Sequence, residues 1–125
     1  MEIAVLIPAY QPDSVLISLV QALHRENFRL IVTDDGSGPA YADIFSALLP
    51  YAQVLTCPEN RGKGRALKCA LHHLAEKPQG CRAFITADAD GQHTVADILR
   101  VREALLSGRP TDTPGTCVTC VMEGN

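Results

Sequence analysis

Ile3-Ala4-Val5-Leu6-Ile7, five apolar residues in succession ahead of Pro8, reads as a strand covered on both faces. A strand with one wet face alternates apolar and polar residues, and this one does not. Arg29-Leu30-Ile31-Val32-Thr33 repeats the pattern, Gln53-Val54-Leu55-Thr56-Cys57 gives a more exposed version, and Cys81 to Ala87 gives a fourth run. Helical stripes separate them. Val15, Leu16, Leu19, Val20 and Leu23 fall on one 3.6-residue face between Asp13-Ser14 and Asn27, and Tyr41, Ile44, Phe45, Leu48 and Leu49 mark a short helix ended by Pro50. Ala66, Leu67, Ala70, Leu71 and Leu74 mark a third helix ending before Pro78. The last carries Val95, Ile98, Leu99, Val101, Leu105 and Leu106, with a Thr94–Asp97 capping box and Gly108 and Pro110 at its close. Strands and helices in strict alternation, with no internal repeat, call for an α/β fold with a doubly wound, mostly parallel sheet.

The whole chain has 125 residues, a net charge of −3, 46% hydrophobic and 20% charged residues. One domain is expected over residues 1–110, followed by an irregular tail over 111–125 that is rich in Thr, Pro, Gly and Cys. The acidic balance offers no broad basic field for nucleic acid or anionic lipid, so any phosphate recognition must be local. No apolar run approaches a membrane span, Glu2 interrupts any signal-peptide pattern, and a cytoplasmic location is expected. Five cysteines, Cys57, Cys69, Cys81, Cys117 and Cys120, form no even disulfide framework; the first three read as small buried residues, and Cys117-Val-Thr-Cys120 lacks the second pair that a zinc site needs.

Chemistry collects where strands end. Ile85-Thr86-Ala87-Asp88-Ala89-Asp90-Gly91-Gln92-His93 is an apolar run closing in two carboxylates. Residues i and i+2 of an extended segment point to one side, roughly 6.5–7 Å apart, so Asp88 and Asp90 can converge on one hard cation, with Gln92 as a neutral oxygen ligand. A plain surface turn has the same composition. Pro8-Ala9-Tyr10-Gln11 follows the first strand, Asp34-Asp35-Gly36-Ser37 the second, and the basic loop Asn60-Arg61-Gly62-Lys63-Gly64-Arg65 the third. In open α/β sheets ligands bind beyond the carboxyl ends of the strands, so the four clusters are expected on one rim. They offer a flat ring, acceptors, backbone amides with cations, and metal-binding carboxylates, which is what a nucleoside diphosphate needs. Of Asp34 and Asp35 at most one is expected to reach a ligand. Neither a Walker loop nor a Rossmann glycine pattern is present. His24, His72 and His73 read as surface or packing residues, and His93 as at most a group behind the ligand shell.

The four clusters, in this order and spacing over about the first 107 residues, resemble the family 2 inverting glycosyltransferases of GT-A fold, and among them the polyprenyl-phosphate sugar transferase type. The resemblance implies a nucleotide-sugar donor, UDP-, GDP- or dTDP-linked, held by Pro8, Ala9, Tyr10, Asp34, Asp35, Arg61, Gly62, Lys63, Asp88 and Ala89. Within that set it implies that Tyr10 and Asp35 hold base and ribose, that Lys63 lies near the phosphates, and that Asp88, Asp90 and Gln92 carry Mg²⁺ or Mn²⁺. Members of the family continue further, with an acceptor pocket, for polyprenyl phosphate in that type, and a general base. No catalytic base is therefore expected within this chain, which looks like a nucleotide-sugar-binding half with an unrelated ending. Three readings follow: a glycosyltransferase part with poor or no transfer of its own; a non-catalytic nucleotide-binding remnant or oligomeric assembly module whose unfinished sheet pairs with another chain; and a sugar-nucleotide-forming nucleotidyltransferase of similar sheet architecture, against which stands the lack of a glycine-rich arginine loop after the first strand.

Overall fold

The computed structural model describes residues 2–90, 95–107 and 119–121, the last three as backbone only. Gln92, His93, the Thr94 cap, Gly108, Pro110 and the Cys117 thiol lie outside the described residues. Five strands and four α-helices follow in the order β1 (Glu2–Ala9), α1 (Val15–Arg25), β2 (Arg29–Asp35), α2 (Ala42–Leu48), β3 (Gln53–Cys57), α3 (Lys63–Glu76), β4 (Cys81–Thr86), α4 (Val95–Ser107) and β5 (Thr119–Val121), with one 3-10 turn at Pro39–Tyr41. The sheet order is β3-β2-β1-β4-β5. The first four strands are mutually parallel and β5 is antiparallel to β4, the doubly wound α/β arrangement read from the apolar runs.

The two faces of β1 explain why its sequence does not alternate. Ile3, Val5, Ile7 and Ala9 join the larger core with Leu16, Leu19, Val20 and Leu23 of α1, Phe45 and Leu48 of α2, and Ile98 and Val101 of α4. Ala4 and Leu6, on the opposite pleat, pack with Ile31 and with Ala70 and Leu74 of α3. Both sets must be apolar. Val5, Leu6 and Ile7 are fully buried, and truncating one of them to Ala should cost about 2–5 kcal/mol.

Several boundaries differ from the sequence reading, each for a pairing reason. β1 does not stop at Pro8: it pairs with β2 through Pro8↔Thr33 and Ala9↔Asp34, whereas pairing with β4 ends at Leu6↔Thr86. Past Leu6, β1 is paired on one side only, and proline is tolerated there. β2 continues through both aspartates, because β3 keeps pairing with it to Asp34↔Thr56 and Asp35↔Cys57. α3 begins at Lys63 rather than Ala66, and Gly62, with φ +94°, supplies the turn into it. Thr119–Val121 of the tail is not irregular but pairs along β4, with Ile85 opposite Thr119. The β4 edge is therefore covered at those residues.

Candidate functional site

A cleft of about 400 Å³ opens beyond the carboxyl ends of β1, β2 and β4, a volume in the usual range for small-molecule sites. β1 brings Pro8, Ala9 and Tyr10 to it, β2 brings Asp35, the loop into α3 brings Asn60, Gly62 and Lys63, and the segment after β4 brings Asp88, Ala89 and Asp90. The cleft lies where the strand order turns back, between β1 and β4.

Backbone geometry sets each group. Tyr10 is 51% exposed, an aromatic standing at the cleft and not in the core. Its neighbour Gln11 adopts φ +48° and donates its N–H to Ser37 Oγ at 2.8 Å, while Ser37 donates its own N–H to Asp34 Oδ1 at 2.9 Å. The loops after β1 and β2 are thereby tied together. Asp35 Oδ1 accepts the Arg61 N–H at 2.9 Å and Oδ2 accepts the Gly62 N–H at 3.0 Å. This 3% exposed carboxylate thus fixes the turn into α3, close to the positive end of that helix. Each oxygen keeps a second lone pair. Gly36 makes the same junction tight: with φ +70°, a Cβ there would stand 2.3 Å from the Asn60 nitrogen and 2.4 Å from the Glu59 carbonyl carbon. No side chain fits between the two loops.

Lys63, first residue of α3, forms an ion pair with Asp88 Oδ1. The cleft thus carries a cation from α3 against a carboxylate from the β4 end. A Leu6 C=O accepts the Ala87 N–H at 3.0 Å, extending the β1–β4 junction one residue past the strand and directing the next three residues into the cleft. The first turn of α3 holds no acidic residue, so Lys63 and Arg65 leave that end positive.

The structure brings together Pro8, Ala9, Tyr10, Asp35, Gly62, Lys63, Asp88, Ala89 and Asp90 from the expected set. Two side chains are used elsewhere. Asp34 caps Ser37 and borders a neighbouring, more apolar hollow beside α2 and β3. The Arg61 guanidinium pairs with Glu59 at 3.2 Å, and Arg61 serves the site through its backbone N–H. Asn60 enters the cleft although no site role was assigned to it. The close approach of its backbone to Gly36, past the end of β2, accompanies that placement. Cys81 is buried, whereas Cys57, on the edge strand β3, and Cys69, on α3, are only half-buried.

A sequence model described as Glycosyl transferase family 2 matches residues 4–124. The chain belongs to this family. The match runs through the C-terminal tail, so the ending read as unrelated is part of the family pattern, in keeping with β5 pairing into the sheet. The uncharacterized protein MJ1222 of Methanocaldococcus jannaschii is 35% identical over 112 residues, covering 84% of this chain and 42% of that protein. The chain therefore spans less than half the length of that relative. Among solved structures, residues 1–349 of TarS from S. aureus superpose with a TM-score of 0.65 at 19% identity, over 86% of this chain and 33% of that chain. The same residues in complex with UDP give a TM-score of 0.59 at 20% identity, over 72% of this chain and 28% of that chain. A 4-diphosphocytidyl-2C-methyl-D-erythritol synthase gives 0.63 at 16% identity, over 82% of this chain and 54% of that chain. These likenesses place the family 2 chain among GT-A-like folds. No helix of the described residues is long and apolar enough to cross a membrane.

Proposed function

We propose that this family 2 chain is the donor-binding part of a metal-dependent, inverting glycosyltransferase and takes a nucleoside diphosphate sugar into the cleft between β1 and β4. One observation carries the reading: Tyr10, Asp35, Lys63, Asp88 and Asp90, from four separate segments, line a single cleft. The UDP held by TarS supports a nucleotide of that class. Tyr10 stacks on the base, and Asp35 accepts from a base N–H or a ribose hydroxyl through the lone pairs its backbone partners leave. Lys63 exchanges Asp88 for the diphosphate, a trade of one anion for another.

The residues fit a hard divalent cation. Asp88 and Asp90 line the same cleft, and the Lys63 ammonium already sits against Asp88, marking a place where positive charge is favoured. Among the described residues no group of three or more His, Cys, Asp or Glu gathers, so phosphate oxygens and water complete the shell, as suits Mg²⁺ or Mn²⁺. Gln92 is the proposed neutral ligand. When bound, the ion supplies Lewis-acid neutralisation of the diphosphate leaving group. The acceptor in this reading is polyprenyl phosphate. The location that suits these donors is the cytoplasm.

Isothermal titration of UDP, GDP and dTDP, each with and without Mn²⁺, tests the reading. One nucleotide should bind, and only with the ion present. Heat-silent titrations for all three, with a competition assay that is also silent, would remove it. The assembly reading would then gain ground through the β3 edge.

A further inference from the structure

Cys57 ends β3 and Cys69 lies on α3, and their sulfurs are in contact at 3.9 Å. Cys57 is also the register partner of Asp35, the residue that fixes Arg61 and Gly62. The eleven residues between the two cysteines include Asn60, Gly62 and Lys63, one wall of the cleft. Both thiols are half-buried, so each is reachable by a small oxidant.

We propose that Cys57 and Cys69 are a redox site: a two-electron peroxide oxidant joins them in a reversible disulfide that closes the loop carrying this wall of the cleft. The step balances. The Cys69 sulfur gives an electron pair to peroxide and becomes a sulfenic acid, releasing water; the Cys57 sulfur displaces the sulfenic oxygen as a second water, and the S–S bond forms. Two thiols are oxidised and one peroxide is reduced. Burial, the hydrogen bond and charge of Cys69, and then the Asp35 and Asp34 carboxylates hold the Cys57 thiol above its ordinary range, which assigns it the second role. A bond of about 2.05 Å requires the sulfurs to approach by nearly 2 Å, and the bridge ties the turn into α3 to the sheet edge at both ends. Dithiol reductants reverse it.

The test is peroxide treatment of the full chain, followed by alkylation and digestion with trypsin plus a glutamate-specific protease. Cleavage after Glu76 separates Cys69 from Cys81. The monomeric protein should yield a Cys57–Cys69 cross-linked peptide that dithiothreitol abolishes, and its thermal midpoint should rise by roughly 5–10 °C through closure of a short loop. Cys57→Ser and Cys69→Ser should each lose both effects, while Cys57→Ser should accumulate a Cys69 sulfenic acid that a dione probe traps. Recovery of Cys57 and Cys69 as separate thiols or separate oxyacids overturns the proposal, as does a cross-linked form whose midpoint is at or below that of the reduced protein. These readouts involve no nucleotide, so they stand or fall apart from the donor-site reading.

Discussion

Two acidic pairs sit at the carboxyl ends of parallel strands in this molecule, and the fold uses them in opposite ways. Asp34 and Asp35 end β2 while still inside the ladder, 8% and 3% exposed, with carboxylate oxygens accepting the N–H groups of Ser37, Arg61 and Gly62. Asp88 and Asp90 come after β4 has ended and line the cleft, where Asp88 meets the Lys63 ammonium. Backbone amides hold the first pair in place, whereas Asp88 of the second is met by a side chain. A carboxylate bound to fixed amides is committed to one geometry, whereas one paired with a lysine side chain can exchange its partner for another cation.

The largest effect should come from the junction that the first pair supports. Gly36→Ala combines a left-handed φ with a Cβ driven into the Asn60 backbone, and should cost about 4 kcal/mol, read as a lowered midpoint in chemical denaturation. Survival of that variant with native stability would mean that the two loops are not held as described.

Asp35→Ala takes the carboxylate acceptor from the Arg61 and Gly62 N–H groups and should cost about 3 kcal/mol, with Asp35→Asn recovering part of it. Asp34→Ala removes one such bond and should cost about 1 kcal/mol. Equal costs at the two positions would break the distinction between a residue that holds the α3 turn and one that caps its own loop.

Asp88→Ala and Asp90→Ala should change unfolding free energy by less than about 1 kcal/mol, since exposed or partly exposed ion pairs contribute little. The loss should instead appear in metal-dependent nucleotide binding. If either substitution destabilised the protein as much as Asp35→Ala does, the β4 pair would be scaffold too.

The smallest expected effect concerns alkaline pH. Burial raises the Cys81 thiol, with the nearby Arg29 guanidinium acting in the opposite sense. The unfolded thiol therefore ionises first as pH rises. Stability should be flat below the ordinary thiol range and fall above roughly pH 9, and Cys81→Ala should flatten that part of the profile.

Much of the fold was legible because its strongest signals are local. The unbroken apolar run of β1 requires cover on both faces, and the α1 stripe of Leu16, Leu19, Val20 and Leu23 buries as its spacing demands. What escaped the sequence depends on distant partners. Asp34 and Asp35 look like turn formers until β3 is placed beside them, and Thr119–Val121 is too short to show alternation. Gly36 reads as an ordinary Asp-Gly turn, yet its role is the approach of the Asn60 backbone. Within the site, the segments could be listed from their composition, but the division of labour among their carboxylates could not, because it is set by which amides and ammonium groups the sheet brings near.

The most direct test of that division is the thermal midpoint of the parent chain and of Asp90→Ala, each without ligand and with Mn²⁺ plus UDP, GDP or dTDP. A ligand that binds only the folded state raises the midpoint by linkage. The two proteins should melt together without ligand, and only the parent should gain when metal and one nucleotide are both present. An equal rise in both proteins, or none in the parent with any of the three nucleotides, would contradict the account.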